Sequence, residues 1–138
     1  MANKLNPYLT FVGKARSVMD FYKSVFGGEL TLQTFKEMHA AKSPEQEELI
    51  MHGQLITKDG MTLMASDDPE SENESKNVSI AVSGEDKVTL RAYWDKLVDG
   101  ATILVPFETA PWGDTFGMLT DKFGVRWMVN VSKSKTKE

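Results

Sequence analysis

The chain has 138 residues, 41% of them hydrophobic and 26% charged, with a formal net charge of −4 and no cysteine. This is the balance of one globular domain, or of two small modules sharing a core. The negative charge argues against a nucleic-acid surface, and the missing cysteine excludes disulfides, thiolate catalysis and cysteine metal sites. No segment approaches the about 20 consecutive apolar residues of a membrane span, and no signal-peptide-like run opens the chain, so the cytoplasm is the expected location.

Residues 5–12 predict a strand with Tyr8, Thr10 and Val12 on one face and Pro7, Leu9 and Phe11 on the other. Residues 14–26 predict a helix, because Val18, Phe21, Tyr22 and Val25 fall at i, i+3, i+4 and i+7. Gly27-Gly28 supplies its left-handed stop. A strand is expected over 29–37. A polar stretch over 38–48 reads as a mobile excursion with one helical turn. Residues 49–57 and 61–65 form a predicted hairpin around Lys58-Asp59-Gly60. Residues 67–76 carry five acids in the run DDPESENESK, which reads as a solvated linker containing Asp67 and Asp68.

The second half repeats this order. Val78, Ile80 and Val82 alternate with small residues as a strand. Leu90, Tyr93, Trp94, Leu97 and Val98 mark a second helix that ends at Gly100. Residues 101–108 predict a strand, and 115–120 with 125–131 a final hairpin joined by Asp121-Lys122-Phe123-Gly124. The tail from 132 is polar, and its Lys133, Lys135 and Lys137 form a solvated end. The expected organisation is one domain over 1–138: module one 1–67, linker 68–76, module two 77–132 and tail 133–138. The repeat rests on element order and on the two helix-ending glycines, with little residue identity.

Four stretches carry a family resemblance: Pro7-Tyr8-Leu9-Thr10-Phe11; Phe21-Tyr22 followed by Phe26-Gly27-Gly28; Met51-His52 with Leu63-Met64-Ala65-Ser66-Asp67; and the run from Trp112-Gly113-Asp114 through Phe116-Gly117, Asp121 and Phe123-Gly124 to Trp127. The chain closely resembles the PhnB-like family of the vicinal oxygen chelate superfamily, which also holds glyoxalase I, bleomycin-resistance proteins and extradiol dioxygenases. The resemblance implies an α+β fold of two βαβββ modules. Their sheets would form an open, barrel-like surface of the glyoxalase/bleomycin-resistance type, with the site in its cavity and a homodimer completing it. Many members carry a methyltransferase label. No Gly-rich loop opens a nucleotide-binding helix here, so the sequence does not support that activity.

The superfamily's metal enzymes place four His, Glu or Gln ligands on the first and last strands of the modules. By hand alignment these positions fall on Asn6 or Pro7, Ala65 or Ser66, Asn77, and Met128. None is a histidine or glutamate. A slip of one or two residues brings in Asp67 or Asn130 but no complete set. No metal ligand is therefore assigned, no cofactor is predicted, and a divalent ion is disfavoured.

His52 is the best single polar candidate, as a catalytic acid/base or a ligand contact beside Gln54, with Ile50 and Ile56 expected on the same face. The competing role is that of a hydrogen-bonded structural histidine. Trp112, Phe116 and Trp127 offer a stacking surface. Tyr8, Met51, Met64, Met118 and Met128 would complete an adaptable apolar pocket, or else all of these are core. Asp114 is a carboxylate at the pocket mouth or a turn cap, Asp121 a hairpin-turn residue, and His39 exposed.

The first reading is a small-molecule-binding protein, with no metal, no nucleic acid and no membrane partner. The alternative is a glyoxalase-like or dioxygenase-like enzyme, using a metal or His52. A third is an interaction domain with a filled cavity.

Overall fold

The computed structural model describes residues 5–68 and 78–132. Most of the acidic linker, Asn77 and the lysine-bearing tail lie outside them. The chain divides into two compact units, Met1–Ser75 and Lys76–Glu138. Each unit is one four-stranded sheet with one helix on one face.

The first unit runs β1 (Tyr8–Phe11), α1 (Ala15–Phe26), β2 (Glu29–Thr34), β3 (Ile50–Ile56) and β4 (Thr62–Asp67). Its sheet order is β1-β4-β3-β2, with β1 parallel to β4 and the other pairs antiparallel. The second unit runs β5 (Ser79–Gly84), α2 (Lys87–Leu97), β6 (Thr102–Thr109), β7 (Thr115–Thr120) and β8 (Arg126–Val131). Its order, β5-β8-β7-β6, again has one parallel pair, β5 with β8. This is the expected βαβββ plan, twice. Among the described residues no helix is long and apolar enough to cross a membrane.

Alternation explains how each sheet gains a covered face. In β4, Leu63, Ala65 and Asp67 are buried, while Thr62, Met64 and Ser66 are half-buried on the other side. In β8, Trp127, Val129 and Val131 are buried, and Arg126, Met128 and Asn130 face the other way. The buried sides meet the helices. Helix α1 buries Ala15, Val18, Met19, Tyr22, Val25 and Phe26 against its sheet, and α2 buries Leu90, Tyr93, Trp94 and Leu97. Met19 thus joins the predicted stripe, and Phe21 stands at its half-buried edge.

The repeat is closer than element order suggests. Gly53 and Gly117 occupy equivalent strand positions under a helix. A Cβ at Gly117 would stand 2.8 Å from Trp94 Cη2 and 2.9 Å from the Phe107 Cα, and one at Gly53 would stand 2.9 Å from Leu32 Cδ2. Trp94 uses the space Gly117 leaves and stacks on Phe107, with ring centroids 5.2 Å apart. The two hairpin turns also match. Thr57 Oγ1 accepts from the Met61 N–H at 3.0 Å, and Asp121 Oδ1 accepts from the Val125 N–H at 3.0 Å. Gly53, Lys58 and Gly60 recur as Gly117, Lys122 and Gly124 at one constant offset, a signal in the sequence that element order alone passes over.

Asp67 is not part of the solvated linker. It ends β4, is 4% exposed, and accepts from the Ala15 N–H and the Ile50 N–H, both at 3.0 Å. Helix α1 starts at Lys14 with no side-chain cap and no acid in its first turn. Asp67 supplies the missing negative charge from 52 residues away. Helix α2 solves the same problem locally: the Asp86 carboxylate accepts from the Thr89 hydroxyl at 2.8 Å and the Thr89 N–H at 3.2 Å. Those two bonds hold the Asp86 carboxyl below the usual carboxylate range.

The segment between β2 and β3 is a hydrogen-bonded lobe rather than a loose excursion. The Phe35 N–H donates to the Leu49 carbonyl and the Lys36 N–H to the Glu47 carbonyl. Thr34 and Glu37 bond reciprocally, each side chain accepting from the other's N–H. The expected helical turn is a 3-10 turn at Pro44–Gln46.

Candidate functional site

In each unit one sheet face carries the helix and the opposite face carries the candidate residues. On the open face of the first sheet, Tyr8 of β1 is paired with Met64 of β4, and Met64 with Gln54 of β3. One rung further, Thr10 stands beside Ser66. Strand alternation puts His52 on the face of Gln54. The Tyr8 hydroxyl and His52 Nδ1 are 2.9 Å apart, and the two rings lie tilted with centroids separated by 5.6 Å. Which of the two atoms donates depends on the imidazole tautomer. Tyr8 is 48% exposed, so the pair sits at a solvent-accessible surface. Sequence reasoning named both residues but found no partner for His52. The partner is fixed by strand order, which sets β1 and β3 on either side of β4.

Ile50 is not on the His52 face. Gln33 pairs with His52 and Thr34 with Ile50, so Met51 is an extra residue in β3. This bulge breaks the alternation, buries Ile50 completely, and leaves Met51 outside the covered face at 37% exposure. Met51 instead lines a cleft of about 340 Å³ between the lobe and the ends of β1 and β4. Thr10, Phe35, Ala40, Lys42, Gln46, Ser66, Asp67 and Asp68 complete the lining.

On the open face of the second sheet, Phe116, Met118 and Thr120 of β7 pair with Asn130, Met128 and Arg126 of β8. Ala81 of β5 stands beside Met128. Phe116, Met118 and Met128 are all half-buried. Asn130 Nδ2 donates to Asp114 Oδ2 at 3.4 Å, so Asp114 sits at the Phe116 end of this face. The stacking surface expected from Trp112, Phe116 and Trp127 together does not form. Trp127 is one residue out of phase with Met128, pairs with Leu119 on the helix side, and is 1% exposed. Its Nε1–H donates to Asp121 Oδ2 at 2.9 Å, which makes Trp127 core. Trp112 stands apart in the loop before β7, 68% exposed. Asp121 is the turn residue it was expected to be, also accepting from the Phe123 N–H.

The family described as 3-demethylubiquinone-9 3-methyltransferase matches this chain over residues 3–130. The chain belongs to that PhnB-like family. Protein YjdN of Escherichia coli K12 is 25% identical over 142 residues, covering 95% of this chain and 97% of YjdN. Protein PA1353 of Pseudomonas aeruginosa is 30% identical with a TM-score of 0.82, covering 96% of this chain and all of PA1353. The PhnB protein of Bacillus cereus is 27% identical with a TM-score of 0.75, covering 94% of this chain and all of that one. A glyoxalase/bleomycin resistance protein/dioxygenase family enzyme of Burkholderia phytofirmans PsJN shares the fold, at 14% identity and a TM-score of 0.56 over 92% of this chain and 94% of that one.

Metal enzymes of this fold gather nitrogen and carboxylate donors on the parallel strand pairs. In this PhnB-like chain the open-face rungs of those pairs read Tyr8 with Met64, Thr10 with Ser66, Ala81 with Met128 and Ser83 with Asn130. Phenol, hydroxyl, thioether and amide are not the donor set that a zinc or nickel ion takes. Ala65 faces the helix, and Asp67 is engaged by two N–H groups. Among the described residues no three of His, Cys, Asp and Glu are grouped to share an ion.

Proposed function

We propose that this PhnB-like protein binds a small hydrophobic or aromatic molecule on an open sheet face, without a metal ion taking part. The observation that carries the reading is the strip Phe116, Met118 and Met128. It is apolar, half-buried and uncovered by α2, which packs on the other side. An aromatic ring with two thioethers suits planar ligands of varied shape. Methyl spectra of the protein with ¹³C-labelled methionine, recorded against a panel of planar aromatics, test it directly. Binding is expected to move the Met118 and Met128 signals. A panel that leaves both unmoved, or a stoichiometric metal ion retained after dialysis, would overturn the reading.

A second reading, an enzyme using His52 as acid or base, is favoured by the Tyr8–His52 contact alone. A hydroxylated aromatic ligand held at the Tyr8–His52 pair itself is expected to bind about tenfold more weakly in His52→Ala, the worth of roughly one hydrogen bond to a ligand. The substitution lowers stability by no more than about 1 kcal/mol, because the pair is solvent-accessible. Calorimetric titration and urea unfolding measure the two. Loss of a measurable turnover at unchanged stability would favour the enzyme.

We also propose a homodimer. Each sheet ends in edge strands that pair with one neighbour within the sheet, β1 and β2 in one unit, β5 and β6 in the other. Sedimentation at micromolar concentration is expected to show a dimer, and a single monomeric species there would rule it out.

A further inference from the structure

We propose that the open face of the first sheet binds a small, planar, uncharged molecule by a carboxamide or cyclic amide group, held at the Tyr8–His52 pair. The site lies within the first unit and does not rest on the Phe116 strip. Tyr8, Met64 and Gln54 form one rung across β1, β4 and β3, and His52 stands two residues from Gln54 on the same face. Neighbouring strands are about 4.8 Å apart and same-face residues about 7 Å apart along a strand, which keeps Gln54 beside the pair. On β2, Thr31 stands opposite Gln54 and Gln33 opposite His52.

The hydrogen-bonding groups here are open to a ligand. No hydrogen bond joins the Gln33 or Gln54 side chain to another described residue, and no buried side-chain nitrogen or oxygen among the described residues lacks a partner. Both glutamines are half-buried, so their amide atoms reach solvent. The Tyr8–His52 contact leaves a definite complement. If the Tyr8 hydroxyl donates to Nδ1, a neutral imidazole keeps an Nε2–H donor and the Tyr8 oxygen still accepts. If Nδ1–H donates to the Tyr8 oxygen, the hydroxyl becomes the donor and Nε2 the acceptor. Either tautomer presents one donor and one acceptor on separate atoms. A hydroxyl ligand carries both functions on one oxygen. A carboxamide carries them on two atoms, an N–H to give and a carbonyl to receive.

Charge sets the other half of the selection. The chain is 26% charged, yet among the described residues on this face of the four strands only Glu29 carries a formal charge. It stands opposite Ile56, two same-face rungs from His52. Surface left to water ordinarily carries lysines and glutamates, and this face does not. An ion drawn onto half-buried surface gives up water and gains no counter-charge, whereas an uncharged amide recovers its hydrogen bonds from the pair and from Gln54. Half-buried Met64, in the middle of the rung, and the Tyr8 ring offer apolar contact to the ligand's own ring. The Tyr8–His52 bond orients both side chains before any ligand arrives.

The test uses the full chain with ¹³C-methyl methionine, the Met64 signal being assigned by its loss in Met64→Leu. Three probes of nearly one shape are titrated: benzamide (uncharged), benzoate (an anion) and benzamidine (a cation). Benzamide is expected to shift the Met64 methyl and to bind about tenfold tighter than either ion. Tyr8→Phe keeps the ring, loses the hydroxyl, and should weaken benzamide about tenfold. Gln54→Glu places a carboxylate beside the pair and should reverse the order, benzamidine then binding about tenfold tighter than benzamide. Both variants should keep the parent's melting temperature, since Tyr8 is 48% exposed and the Gln54 side chain bonds to no other described residue. Three results would overturn the proposal: equal affinity for benzamide and either ion, a benzamide affinity indifferent to both substitutions, or no Met64 shift at about 10 mM. Met118 and Met128 report the strip separately, so failure at Met64 leaves the strip reading intact.

Discussion

Trp127→Ala is expected to destabilise the protein by about 3–5 kcal/mol, the range for removing a fully buried large aromatic side chain. Trp127 is 1% exposed, lies beside Leu119 on the helix side of the second sheet, and donates to Asp121 Oδ2 at 2.9 Å. The substitution opens a cavity under α2 and removes a buried donor from the carboxylate that organises the β7–β8 turn. Trp127→Phe separates the two effects. It keeps most of the ring volume and loses only the N–H, so a cost of about 1–3 kcal/mol is expected. Urea unfolding at constant m reads both. If Trp127→Ala left the midpoint unchanged while abolishing aromatic binding, the residue would belong to the ligand surface after all.

Asp67→Ala is the second large effect, with an expected cost of about 3–5 kcal/mol. The carboxylate accepts two backbone N–H groups in a buried position, and hydrogen bonds to a charged group are worth about 1.5–3 kcal/mol each. Without it, the Ala15 and Ile50 N–H groups lose their acceptor, and the N-terminus of α1 loses its only acidic partner among the described hydrogen bonds. Asp67→Asn is close in shape but has one acceptor oxygen for two donors, and it turns an NH₂ toward an N–H. It should recover less than half of the loss. Hydrogen exchange at the Ala15 and Ile50 amides provides the local reading, and both should exchange faster. A variant within about 0.5 kcal/mol of the parent would mean that Asp67 is solvated, as its acidic surroundings in the sequence suggest.

The candidate site was legible only in part. Phe116 and Met128 come out together because they occupy facing strands of a hairpin whose turn, Asp121 to Gly124, is plain in the sequence. Tyr8 and His52 were each nameable but not as a pair, since 44 residues separate them and only the placement of β4 between their strands brings them together. Trp127 stays open between ligand surface and core in the sequence because an aromatic in an alternating strand fits either face. One residue of phase decides between ligand surface and core. Ile50 was misplaced for a related reason: the bulge at Met51 shifts the phase by one, and no local motif announces it.

The sequence by itself determined the order of strands and helices, the apolar stripe of each helix, the turns at Lys58-Asp59-Gly60 and Asp121–Gly124, and membership of the PhnB-like family. These depend on periodicity, on turn chemistry and on residues close together in the chain. Tertiary structure alone decided which face of each sheet the helix covers at the bulge, that Asp67 caps a helix begun 52 residues earlier, and that Lys42, Met51 and Asp68 border one cleft. Those outcomes turn on strand register and on contacts between distant segments. Their energies come from burying groups whose partners are not neighbours in sequence, so local propensity carries no record of them.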